Sequence, residues 1–165
     1  MYRESWVVQT KLTPPFLHKR TLHRSRVTKR LLETLEYRLA IVQAGAGYGK
    51  TTALAALAEG APPLVWYHLG PDDTDSLVFL AHLVHGFLFA LPDMSRDVLA
   101  LLEEWEKSSR ERPWAPIVDA LTNELAQRND GPWLLVLDDI HRLNDAPEPL
   151  RALDWFIGRC PADLH

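Results

Sequence analysis

The chain has a single cysteine, Cys160, and only two methionines in 165 residues. One thiol excludes an internal disulfide framework and suits a reducing compartment, and Cys160 itself reads as an ordinary small apolar side chain. No apolar run is long enough to span a bilayer. Residues 1–10 hold neither a sustained apolar stretch nor a basic flank before one, so no secretory signal is expected. A cytoplasmic protein that makes no membrane contact is the expectation. Internal repeats and low-complexity tracts are also missing. With 47% of its residues apolar, a chain of this length can bury one core but not two comfortable ones, so one domain or part of one is expected.

What is present is a glycine-rich run, Ala44, Gly45, Ala46, Gly47, Tyr48, Gly49, Lys50, Thr51 and Thr52, lying between apolar residues 39–42 and an alanine-rich segment with helical character. Glycines let several backbone N–H groups converge on one point, and the first turn of the following helix adds its positive end there; together these features cradle polyphosphate. Lys50 is placed to neutralise terminal phosphates, and the Thr51 hydroxyl to ligate magnesium. The strict pattern has glycine at the position of Ala44, so the match is to a relaxed form. A plain glycine-rich turn would have no reason to carry a lysine and two hydroxyls at that junction.

A second motif lies far downstream. Trp133, Leu134, Leu135, Val136 and Leu137 form an apolar run that ends in Asp138 and Asp139. In a parallel sheet ligands gather beyond the carboxyl ends of the strands, which would bring Asp138 beside Thr51 to hold magnesium, while Asp139 orients or deprotonates water. Taken alone, the run is equally a buried strand followed by an acidic turn. Asp139 is a methylene shorter than glutamate and would hold water differently, which favours binding over turnover.

Periodicity supplies the frame. Residues 26–38 suit a helix, 39–43 a first strand, 51–59 a helix stopped by Gly60, Pro62 and Pro63, and 64–69 a second strand. Asp75 is a candidate cap for a helix that Pro92 closes; helices follow at 96–107 and 117–128, a third strand at 133–137, and a last helix opened by Pro147. His82 and His85 stand three apart, a spacing that can hold a metal, but no cysteine or carboxylate is positioned to complete a site, so they read as ordinary histidines.

The net charge of −4 conceals an asymmetry: residues 11–30 carry seven Lys or Arg and no acid, whereas residues 31–165 carry ten against twenty-one acids. The basic stretch (Lys11, Lys19, Arg20, Arg24, Arg26, Lys29, Arg30, with His18 and His23) can be read as a nucleic-acid arm. An acidic body repels the DNA backbone, however, and the interleaved Leu12, Pro14, Pro15, Phe16, Leu17, Leu22 and Val27 suit a segment that packs down. It is read as a lead-in that wraps toward the nucleotide.

Four landmarks in order resemble the nucleotide-binding domain of STAND-class regulators, the signal-transducing ATPases of the MalT-like, LuxR-type and SARP-type groups of bacterial transcriptional regulators. They are Thr10-Lys11-Leu12 with Pro14-Pro15; the loop from Ala44 to Thr52; Val65-Trp66-Tyr67-His68-Leu69 followed by Asp73, Asp75 and Phe79; and Leu135-Val136-Leu137-Asp138-Asp139-Ile140-His141. The resemblance implies an α/β P-loop NTPase fold of the AAA+/STAND kind, a parallel sheet with flanking helices. Residues 1–38 would be a lead-in and helix, and residues 39–165 a nucleotide-binding domain that stops before its later core strands. It further implies ATP and Mg2+ as ligands, with Lys50 and Thr51 on phosphate and magnesium, Asp138 on magnesium, Asp139 on the hydrolytic water, and Arg24 and Arg26 near the base. Gly45 and Ala53 depart from the usual proline and leucine of that family.

By the same resemblance, the sensing arginine, lid, helical repeats and DNA-binding element would lie outside this chain, and a truncated gene product or cut fragment is expected. Partners would be ATP or ADP, the missing C-terminal domains or another copy, and DNA only through a domain not present here. Three functions stay open at this point: an ATP-dependent regulatory switch with slow hydrolysis, a non-catalytic interaction module, and a P-loop kinase or phosphotransferase.

Overall fold

Strand alternation organises the molecule. The computed structural model describes residues 7–18, 24–45, 47–57, 63–108 and 113–165. Among them, β1 (Leu64–His68) and β2 (Leu134–Asp138) form a two-stranded parallel sheet, paired in register from Leu64 with Leu134 to His68 with Asp138. Successive side chains point to opposite faces. Val65 and Tyr67 of β1 therefore enter a large core with α3 (Ser76–Ala90), α4 (Asp97–Lys107), α5 (Ala115–Ala126) and α6 (Pro147–Arg159). Trp66, Leu134 and Val136 turn the other way, toward a smaller cluster with α1 (Ser25–Leu32) and α2 (Lys50–Leu57). An α/β arrangement results, with helices on both faces of the sheet.

The main helix, α3, starts where the sequence places it. The Asp75 carboxylate accepts the Leu77 and Val78 N–H groups at 2.8 and 3.3 Å, satisfying donors that have no partner inside the helix. Leu77, Phe79, Leu80, Leu83, Val84 and Phe87 are buried along it, each contributing about 1.5–3 kcal/mol by leaving water. Close approach to β1 depends on Gly86, where an added Cβ would stand 3.2 Å from Val65 Cγ1. Pro147, at the start of α6, occupies a position where no helical N–H is needed.

Two sequence expectations need correction. Residues 39–43, read as the first strand of a parallel sheet, form no strand, and Leu39 and Ile41 are exposed. The reason is the lack of a ladder to join. On its side away from β1, β2 is bonded by the end of the chain: Trp133 N–H donates to Asp163 O at 2.8 Å, Leu135 N–H donates to His165 O at 2.8 Å, and Trp133 bridges Leu164 in parallel. His165 Nδ1 in turn lies 3.2 Å from Tyr37 O, so these few residues stand between β2 and the start of the apolar run. The helix expected over 26–38 is also shorter, since α1 gives way to a 3-10 turn at Glu33–Glu36. The stop expected at Gly60 and Pro62 lies outside the described residues, as do Lys19, Arg20, Leu22 and His23 of the basic stretch. No helix among the described residues is long and apolar enough to cross a membrane.

Candidate functional site

The glycine-rich run leads into the first turn of α2. Gly47 and Gly49 have φ of 78° and 76°, left-handed conformations that glycine adopts without steric cost. Gly49 O accepts the Ala53 N–H at 2.9 Å, which opens the helix. Within the loop, Lys50 Nζ donates to Ala44 O at 2.8 Å and to Gly45 O at 3.1 Å, so the ammonium is held by the loop's own carbonyls. Arg24 reaches in from the end of the lead-in and donates from its guanidinium to Tyr48 O at 3.1 Å. Tyr48 and Thr52 are exposed, and Ala46 lies outside the described residues.

The far motif meets this loop at Thr51. Its hydroxyl donates to Asp138 Oδ2 at 2.8 Å. Two further donors surround the same carboxylate: His68 Nδ1 stands 3.1 Å from Oδ2, and the Asp139 N–H donates to Oδ1 at 3.1 Å. Because a carboxylate only accepts, the His68 proton sits on Nδ1. Asp138 is 3% exposed, and the three donors replace the water it gives up. Hydroxyl and carboxylate oxygens side by side are hard donors of the kind a small divalent cation takes.

Asp139 follows at φ 59°, a left-handed conformation that aspartate tolerates better than most residues. Its Oδ1 stands 3.7 Å from His141 Nδ1, and its side chain is partly exposed at the end of β2. Thr51, Asp138 and Asp139 thus gather at the carboxyl end of the sheet. The Lys50 ammonium points into its own loop, and Thr52 faces solvent.

His68 is the site residue that sequence reasoning quoted but did not assign. The available signal was the register: as the last residues of neighbouring parallel strands, His68 and Asp138 are directly paired.

A second polar cluster explains the lead-in. Asp73 is fully buried, and its carboxylate accepts from Lys11 Nζ at 2.7 Å, Tyr67 Oη at 2.7 Å and the Gly70 N–H at 2.5 Å. His82, read from sequence as an ordinary histidine, stacks on the Tyr67 ring and accepts the Val8 N–H on Nε2 at 3.0 Å. Nε2 accepts, so Nδ1 carries the proton and donates to Val78 O at 2.8 Å. Burial depresses the His82 pKa below its ordinary value, outweighing the opposing pull of the Val78 carbonyl and Asp73. Burial and the Asp73 carboxylate push the Tyr67 phenol well above its usual range. Lys11 is therefore committed to an internal ion pair. Among the described residues, no group of three or more His, Cys, Asp or Glu side chains could hold a metal ion.

No family model matches the chain. Over 159 residues, 96% of its length, it is 30% identical to the HTH-type transcriptional regulator MalT of Yersinia pestis (strain Pestoides F). The same identity and share hold for MalT of Yersinia pseudotuberculosis serotype O:3 (strain YPIII) and of Yersinia enterocolitica serotype O:8 / biotype 1B. The chain spans 17% of the length of these relatives.

Proposed function

We infer that this chain, which resembles MalT-like regulators along almost all of its length, is the ATP-binding switch module of a signal-transducing transcriptional regulator. In this reading the fold is that of a P-loop NTPase. Lys50 leaves the Ala44 and Gly45 carbonyls to neutralise the terminal phosphates, and the amides of Gly47, Tyr48 and Gly49 with the start of α2 cradle them. Thr51 and Asp138 hold a magnesium ion, which supplies charge neutralisation between phosphates. Asp139 orients the hydrolytic water, and turnover is slow. ATP and ADP, further domains of a longer protein or another copy, and DNA through a separate element are the partners of a cytoplasmic switch of this kind.

The observation that carries the reading is the 2.8 Å contact between Thr51 and Asp138, because it joins the phosphate loop to the acidic strand end. Titration of the chain with a fluorescent ATP analogue tests it: saturable, magnesium-dependent binding is expected, and Lys50→Ala should abolish it. Unchanged affinity in that variant would overturn the mechanism.

One observation favours a second reading, a module that keeps this fold without binding nucleotide. Residues 39–43 lie outside the sheet, so no strand supports the loop on its N-terminal side. The same titration separates the two, since such a module gives no saturable signal. A P-loop kinase or phosphotransferase would instead show steady phosphate transfer from ATP to a small molecule.

A further inference from the structure

His68 ends β1 and Asp138 ends β2, and the two are paired in register. Their juxtaposition therefore follows from the sheet itself and not from a loop. The imidazole is 47% exposed, whereas Asp138 is 3% exposed, so the ring lies across the wet side of a carboxylate that is otherwise enclosed. The three donors on that carboxylate come from three separate segments. The Asp139 N–H belongs to the same strand end and holds Oδ1. Thr51 belongs to α2 and therefore moves with the phosphate loop. Only His68 restrains Oδ2 from the neighbouring strand, at 3.1 Å.

We propose that His68 is a positioning residue for the cation site, holding Asp138 Oδ2 toward Thr51 from the neighbouring strand. This rests on the phosphate-loop reading above. Were the Thr51 hydroxyl drawn to a cation, Oδ2 would keep only the His68 donor, and a carboxylate held at Oδ1 alone turns about a terminal torsion with broad minima. The donor from β1 keeps Oδ2 in place in that case. Outer partners that orient a liganding carboxylate change metal affinity by about 10–100-fold when removed. The ordinary alternative is a half-exposed polar contact that adds only to stability. The two roles differ in what they move: positioning alters the cation requirement of nucleotide binding, whereas a stabilising pair alters the melting temperature alone.

The experiment uses the whole chain, a fluorescent ATP analogue and magnesium titrated against EDTA. His68→Ala is expected to raise the half-saturating magnesium concentration by about tenfold, with affinity for metal-free nucleotide unchanged. His68→Phe, which keeps a flat ring without a donor, should behave as His68→Ala and serves if the alanine variant does not fold. His68→Asn places an amide donor near the position of Nδ1 and should recover the wild-type requirement to within about threefold. A magnesium requirement equal in wild type, His68→Ala and His68→Phe would overturn the proposal while leaving the phosphate-loop reading intact. So would parallel loss of metal-free affinity, which marks a structural role. Wild-type chain that shows no magnesium-dependent binding would overturn both.

Discussion

Thr51 and Asp138, 87 positions apart, meet hydroxyl to carboxylate at 2.8 Å. The contact ties the start of α2 to the end of β2 and is partly buried, so it should carry a measurable share of stability without any ligand. Thr51→Val is expected to cost about 1 kcal/mol, and a double-mutant cycle with Asp138→Asn should return a coupling of about 0.5–1.5 kcal/mol in urea denaturation. Strict additivity would show that the two side chains do not interact in solution.

Asymmetry is expected at the buried pair beneath the lead-in. Lys11 retains 15% exposure and can turn to water, whereas Asp73 has none. Lys11→Met strands a buried carboxylate and should cost about 3–5 kcal/mol, more than Asp73→Asn, which leaves a lysine able to reach solvent. Urea midpoints for the two variants decide the order.

His82 makes stability depend on pH. Its folded pKa lies below 6.5 because burial disfavours the charged ring, while the unfolded ring titrates near that ordinary value. Above 6.5 the contribution is present in full. As pH falls below 6.5 the unfolded chain takes up a proton that the folded one resists, so stability declines until the folded pKa is passed. The surrounding charges do not reverse this: Asp73 and Asp72 favour protonation and Lys11 opposes it, but all are weaker than burial. Melting temperatures between pH 8 and 5 should fall more steeply for wild type than for His82→Gln, which can still accept the Val8 N–H but does not titrate.

Gly49 has open space where a Cβ would go, yet its φ is +76°. Gly49→Ala is therefore strained by backbone conformation and not by a clash, at a cost of about 1–2 kcal/mol. The strain is local to the loop. Nucleotide binding should accordingly fall more than the melting temperature, and an analogue titration beside a thermal melt compares the two.

Much of the frame was legible because it is written locally. Asp75 capping α3, Pro147 opening α6 and the apolar runs of β1 and β2 each depend on residues a few positions apart. The run at 39–43 misled for a physical reason: apolar and β-prone residues specify a strand only where a neighbour offers a ladder, and the adjoining edge of β2 is engaged by residues 163–165. Around Lys11 the segment packs down, as the interleaved Leu12 suggested, but the partner of the charge was not legible. The place of Lys11 in a basic stretch suggested either a nucleic-acid arm or a lead-in, but nothing nearby in sequence announces the Asp73 carboxylate that neutralises it.

On its own, the sequence determined where the principal helices lie, that the runs at 64–68 and 134–138 extend as strands, and that glycines, a lysine and hydroxyls stand together at the head of α2, since these depend on side-chain spacing and backbone freedom along a short stretch. Only the tertiary structure decided that Asp138 shares its oxygen between Thr51 and His68, and that Asp73 gathers Lys11 and Tyr67. Those meetings depend on the register of β1 against β2 and on how the lead-in packs, and both are settled by burial of apolar surface contributed by the whole chain.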